Sequence, residues 1–300
     1  MRFWCSTIPS APITLPTWRN SFPERNSMRR SAFFDTDSDD RILFPLPTAG
    51  SGWNGGQMRG MAVSAVLARG VERRLADLGP DRLRPARWTL DLFRPVTMRP
   101  CSVETEIVRA GKRLRLVDAR LIQDGQPVAA ARALFLAAGS DSAGDCWSAG
   151  KALPPPPASW RRSEDRARVY YSDDAGWDAD PAQHHNRSRN RLWHGPIDIV
   201  TGEEPSPFQF ACGVADVSNL VANLGTHGLE YINADVTVAF SRLPIGGEMG
   251  ISATDRQEHD GISVGTAVLY DRLGAFGSST VTAITAPAPA DLQVASTASP

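Results

Sequence analysis

The order of elements in this chain occurs twice, and that repetition limits its folds more than any other feature. Met58, Met61, Ala62, Ala65, Val66, Leu75 and Leu78 recur at helical spacing. Strand-like runs follow at 88–93, 102–109, 114–123 and 128–136, with turns at Gly111 and Asp124-Gly125. Later, Ser206-Pro207-Phe208-Gln209 opens a second helix predicted to reach Leu224-Gly225. Strand-like runs come after it at 231–240, 248–257, 262–270 and 277–285, with Gly261 and Gly274 at turns. The stretches TLDLFRP (89–95) and TVAFSRL (237–243) align, which sets Arg94 opposite Arg242. A helix followed by antiparallel strands buries its apolar face against the sheet those strands form. Two copies therefore predict two α+β domains, each with a further strand before its helix, at 41–46 and 192–200.

The sequence between the copies, AAGSDSAGDCWSAGKALPPPPASW, has the Gly, Ser and Pro content of a linker, stiffened at Pro154–Pro157. The expected organisation is an N-terminal extension at 1–30, a first domain at 31–138, a linker at 139–165, a second domain at 166–286 and a disordered tail at 287–300. Met28 offers a second start, which would leave residues 1–27 either untranslated or a disordered extension.

The formal charge of −1 over 300 residues gives no overall attraction to nucleic acid or to a membrane surface. Cys5, Cys101, Cys146 and Cys212 form no CxxC pair, so neither a structural zinc site nor a disulfide framework is expected, and a reducing cytoplasm fits. No apolar run is long enough to span a bilayer, and the first thirty residues lack a signal-peptide core. His184, His185 and His194 match no standard metal spacing. The phosphate-loop glycine pattern is absent.

WNGGQMRG (53–60) stands at the mouth of the first helix, where Asn54 is expected to cap and Gln57 to complete a capping box, with Gly79-Pro80 as the stop. Gly55 and Gly56 admit two readings. They form a tight turn into the helix, or they let a ligand approach the unpaired N–H groups of its first turn.

With GGQ (55–57), the hairpins RAGKRLRLVDARLIQDGQPVAAARALFL (109–136), GEEPSPF (202–208) and DVTVAFSR (235–242) in this order, the chain resembles the acyl-CoA thioesterases with a double hotdog fold, over residues 31 to 286. The resemblance implies an α+β fold of two tandem hotdog domains, each a long helix wrapped by a curved antiparallel sheet. It implies a cytoplasmic hydrolase that cleaves a fatty acyl-CoA to free acid and coenzyme A, without a cofactor beyond the coenzyme A of the substrate. It also implies oligomers paired through the sheets, and no nucleic-acid or integral membrane partner.

In that family a water held by Asp, Thr and Gln side chains of the second half attacks the thioester. By position these fall on Asp216 in GVADVSN, on Asn233 and on Thr282 in SSTVTAI, so one residue of the three is kept. Asp216 can serve as general base, and Asn233 and Thr282 both offer hydrogen-bonding groups to orient the water. Gly55, Gly56 and Gln57 would receive the substrate carbonyl. Arg109, Lys112, Arg113 and Arg115 at a hairpin tip are candidates for the phosphates of coenzyme A, or simply a solvated tip. The aspartate–histidine motif of the hydratases on the same fold is missing, since no histidine follows Asp216 before His227. The altered Asn233 and Thr282 leave a non-catalytic acyl-thioester binding module as the alternative.

Overall fold

The computed structural model describes residues 31–52, 56–79, 82–140, 143–144, 147, 153–157, 160 and 167–290. The first copy contains β1 (Ala32–Thr36), β2 (Leu43–Pro45), α1 (Gly60–Ala76), β3 (Leu83–Asp91), β4 (Ser102–Ala110), β5 (Leu114–Gln123) and β6 (Gln126–Ala137). The second contains β7 (Arg168–Ser172), β8 (Gly176–Asp178), β9 (Asn190–His194), β10 (Asp198–Val200), α2 (Pro207–Ala215) and α3 (Ser218–Asn223). It continues with β11 (Leu224–Gly225), β12 (Gly228–Asn233), β13 (Asp235–Phe240), β14 (Met249–His259), β15 (Ile262–Asp271) and β16 (Gly274–Ala290).

Thirteen of these strands join in one sheet that runs through both copies, in the order β4-β5-β6-β3-β13-β16-β15-β14-β9-β7-β8, with β12 on β16 and β11 on β12. The halves meet at the antiparallel pair β3–β13, where Thr89 lies opposite Thr237. Those two threonines are the residues the internal alignment equates. An antiparallel pair in which a residue faces its own equivalent has a local two-fold axis, so the repeat becomes a pseudo-dyad at the centre of the sheet.

Alternation explains which face of the sheet is covered. On β5 Val117, Ala119 and Leu121 are buried while Asp118 and Arg120 face outward, and Asp118 accepts two hydrogen bonds from Arg132 of β6 at 2.6 and 2.7 Å. The covered face holds α1, which is buried from Met61 to Arg69, as a helix wrapped by sheet and flanked by a second helix must be. Trp88 of β3 is fully buried and donates its indole N–H to Ser64 Oγ at 3.0 Å. Ser64 in turn donates to the carbonyl of Cys212 at 2.7 Å, tying sheet, α1 and α2 together. Phe208 sits among Trp88, Phe135 and Phe240 with ring centroids 5.6 to 6.2 Å apart. The one charged α1 side chain in this core, Arg69, is satisfied by Asp40 (2.8 Å) and by Glu203 of the second copy (2.5 and 2.7 Å).

Several elements differ from the sequence reading. Gln57 and Met58 are drawn into bridges with Thr97 and Gly50, so α1 starts only at Gly60, with Arg59 as its N-cap and no side-chain cap. Asn54, the expected cap, lies outside the described residues. The second helix breaks at Asp216-Val217 into α2 and α3, and the strand expected over 231–240 breaks at Ala234 into β12 and β13. The strand expected at 41–46 is the short β2, the one expected at 192–200 is resolved into β9 and β10, and β1, β7 and β8 had no counterpart in the reading. β16 runs on to Ala290, paired with Leu229, where a tail was expected from 287. The 1–30 extension and most of the 139–165 linker fall outside the described residues. Ser206 caps α2 as its sequence predicts, accepting from the Gln209 N–H at 3.1 Å.

Candidate active site

α1 and α2 run antiparallel. Ser206, at the start of α2, donates to Glu72 in the last part of α1 at 2.6 Å, and Asp216, at the end of α2, lies against Gly60 at the start of α1. Between these ends Gly213 packs on Ala65 so closely that a Cβ there would stand 2.9 Å from the alanine Cβ. The contact of Asp216 with Gly60 is closer still: a Cβ on Gly60 would overlap the carboxylate, with its Cγ at 2.7 Å. Glycine is required at this helix mouth because an aspartate from the other copy occupies the space of a side chain. The glycine in contact is Gly60, which the sequence reading did not single out.

Asn233 reaches the same carboxylate, donating from Nδ2 to Asp216 Oδ1 at 2.9 Å. A bulge at Ala234 makes this reach possible. Along β13 the register on β16 puts Thr237 opposite Thr280, whereas on β12 Asn233 is opposite Ala283, one residue out of step. The extra residue turns Asn233 onto the inward face it shares with buried Ala283 and Val236. The polar side chains after Asp216 are all buried and bonded. Ser218 pairs with Ser279 at 2.6 Å, Asn219 donates to the Tyr231 carbonyl at 2.9 Å, and Asn223 takes hydrogen bonds from Ser263 and Arg256. They fix α3 to the sheet on both sides of the bulge.

Opposing influences set the charge of the aspartate. Burial pushes its pKa above the usual carboxylate range, while Asn233, Arg168, the backbone N–H of Met61 and Arg59 pull the other way. Burial and the neighbouring Arg168 bring Arg59 down to about 10. The Gly60 N–H, in the unpaired first turn of α1, has no partner among the described residues.

The other expected site residues are placed as follows. Thr282 lies on β16 between buried Val281 and Ala283, so alternation directs its side chain to the opposite face from Asn233; its backbone N–H donates to Asp235 at 2.6 Å. Gly55 is outside the described residues. Gly56 accepts from the Met98 N–H at 3.0 Å and Gln57 from the Ser51 N–H at 2.7 Å, which makes both part of the loop ahead of α1. Arg109, Lys112 and Arg113 are exposed at the tip joining β4 to β5. β4 and β16 are five strand spacings apart, about 24 Å along the sheet, so the tip is not gathered with Asp216. Arg59 and Arg168, whose charges act on that carboxylate, were not singled out in the sequence.

His184 is buried with its Nδ1 3.0 Å from Ser172 Oγ, and His194 Nδ1 is 2.6 Å from the Gly195 carbonyl. Among the described residues no group of three or more His, Cys, Asp or Glu is placed to hold a metal ion, and no helix is long and apolar enough to cross a membrane. Cys101 and Cys212 are buried free thiols, and burial pushes Cys101 up to about 12.

Two family models match in order along the chain: the acyl-CoA thioesterase N-terminal domain over residues 45–136 and the acyl-CoA thioesterase C-terminal domain over residues 143–284. No curated protein matches the sequence. Among solved structures, the tesB protein of Mycobacterium avium subs paratuberculosis superposes with a TM-score of 0.58 at 13% identity, covering 82% of this chain and 94% of that one. An acyl-CoA thioesterase II from Mycobacterium marinum gives 0.56 at 15%, covering 77% and 91%. A hot dog fold protein from Alicyclobacillus acidocaldarius gives 0.59 at 16%, covering 84% and 95%. At these identities the structural likeness speaks to the fold, two tandem hotdog units.

Proposed function

Because the chain belongs to the acyl-CoA thioesterase family, with the family's N- and C-terminal domains in order, we propose that it hydrolyses an acyl-CoA thioester where Asp216 meets the start of α1. The observation that carries this reading is the carboxylate of one copy, hydrogen-bonded by Asn233 and packed on the glycine that opens the helix of the other copy.

In the proposed reaction Asp216 takes a proton from a water whose oxygen attacks the thioester carbon. Asn233 and the backbone N–H of Met61 hold the carboxylate in place toward that water. The carbonyl oxygen gains negative charge and is met by the Gly60 N–H at the positive end of α1. The C–S bond then breaks, the sulfur leaves as the thiolate of coenzyme A and takes the proton from Asp216, and the acyl group departs as a free acid. The cycle needs no metal and no covalent intermediate on the protein. A general base must be ionised to act, and the raised pKa of Asp216 places the rise of rate with pH above the range of an ordinary aspartate.

The test is release of free thiol from short, medium and long acyl-CoAs by the wild type and by Asp216→Asn. The expected result is turnover that rises with pH in the wild type and falls by on the order of a hundredfold or more in the variant. Acyl-CoA bound without turnover at any chain length would reassign the protein to acyl-thioester binding.

A further inference from the structure

The bulge that turns Asn233 toward Asp216 is held from both sides. The Ala234 N–H donates to the Thr282 carbonyl of β16 at 2.9 Å, and the Ala234 carbonyl takes the Leu92 N–H of the first copy at 2.7 Å. A side chain joins these main-chain bonds, because Asp235 Oδ1 accepts the Thr282 N–H at 2.6 Å. Thr282 is thereby clamped to two successive residues facing it, the two-against-one arrangement of a bulge, with a carboxylate as one of the acceptors. The Asp235 carbonyl accepts a second, longer hydrogen bond at 3.4 Å from Asn233 Nδ2, the nitrogen that donates to Asp216 at 2.9 Å. Register decides whether Asn233 reaches Asp216 at all, since a slip of one residue moves a strand's side chains to the opposite face. For the fold alone, aspartate is a poor choice at this position. It is disfavoured in strands, and in the pair β3–β13 it stands directly opposite Asp91, a like-charge arrangement that costs stability.

We propose that Asp235 is a positioning residue for the hydrolysis, its carboxylate fixing the bulge in the register that keeps Asn233 on the Asp216 carboxylate. The inference rests on the hydrolase reading for its effect on rate, and on the β12–β16 geometry for its effect on Asp216. Asp235 acts on the chemistry only through Asn233. The Asn233 hydrogen bond is one of the influences that hold the Asp216 pKa down against the upward push of burial. Arg168, the Met61 N–H and Arg59 are the others, and they come from β7 and the start of α1, which the bulge does not hold. Loss of the Asn233 bond therefore raises that pKa further, and because the base must be ionised, the rate climbs only at higher pH.

The experiment measures kcat, KM, the pH dependence of kcat/KM and the melting temperature for the wild type, Asp235→Ala and Asp235→Asn with the best acyl-CoA. Asparagine keeps an oxygen for the Thr282 N–H and removes the charge, so it separates the acceptor from the charge. Alanine is expected to lower kcat about tenfold or more, to leave KM within about twofold and to move the rise of rate to higher pH, while asparagine restores most of the rate and the wild-type profile. Asp235→Val, better suited to a strand, takes the place of alanine where that variant does not fold; failure of both to fold makes Asp235 a folding residue and overturns the proposal. Wild-type kcat or an unshifted pH profile in a folded acceptor-free variant overturns it. Equal impairment by alanine and asparagine also overturns it, and would point to the charge. Should the wild type turn over no thioester, the hydrolase reading falls by itself, and NMR titration of the Asp216 carboxyl carbon decides the positioning: an upward shift in the acceptor-free variant with the wild-type value in Asp235→Asn supports it, and any other pattern overturns it.

Discussion

Gly60 is the residue at which fold and chemistry are hardest to separate, and one substitution can separate them. An alanine there would place its Cβ inside the Asp216 carboxylate. Alanine at the first position of a helix is otherwise favourable by up to about 1 kcal/mol relative to glycine, which offsets the about 1 kcal/mol lost when the carboxylate is pushed off its Asn233 hydrogen bond. Gly60→Ala is therefore expected to leave the melting temperature unchanged or raised while lowering kcat at least about tenfold, because the base moves from its place. Thermal unfolding beside thiol release checks both halves; loss of both together would make Gly60 a folding residue only. The sequence pointed to Asp216 and Asn233 through family resemblance, and these two do meet. It drew attention to Gly55 and Gly56 because paired glycines are conspicuous, whereas a lone Gly60 inside an apolar run looks like any helical glycine. What distinguishes Gly60 is a neighbour from the other end of the chain, and Arg59 and Arg168 were passed over for the same reason.

Elements whose ends depend on local chemistry were legible. The β5 strand was read to the residue from its alternation, and the start of α2 from a serine followed by proline. Elements whose ends depend on distant partners were not. The start of α1 is set by bridges from Gln57 and Met58 to Thr97 and Gly50, and the gap between α2 and α3 carries no proline to mark it in the sequence. The bulge at Ala234 is likewise visible only as a change of register against β16. The antiparallel contact of α1 with α2 is what holds the site in place, and it depends on Gly213. A valine there would drive its Cβ toward Ala65 and the Met61 carbonyl, which a Cβ at 213 would meet at 2.9 and 3.3 Å. Gly213→Val is expected to cost about 1–3 kcal/mol of stability by urea unfolding and, by moving Asp216 off Gly60, to slow turnover even in the fraction that stays folded.

For the whole molecule, the two-fold relation through Thr89 and Thr237 creates two places where one helix begins beside the end of the other, and they have diverged. At the start of α1 the carboxylate of Asp216 lies against Gly60, whose N–H has no partner among the described residues. At the start of α2 the corresponding carboxylate, Glu72, is held by both Ser206 Oγ and Gln209 Nε2 at 2.6 and 2.7 Å, and Ser206 also takes the Gln209 N–H. Titration with a non-hydrolysable thioether analogue of the best substrate is accordingly expected to give one equivalent per chain, and two equivalents would mean that the mouth of α2 binds as well. In a dimer of identical subunits every mutation arrives twice, so neither site can be changed without the other. Joining the copies in one polypeptide removes that tie, and here the freedom has let one mouth close into a helix cap that braces the core while the other keeps its chemistry.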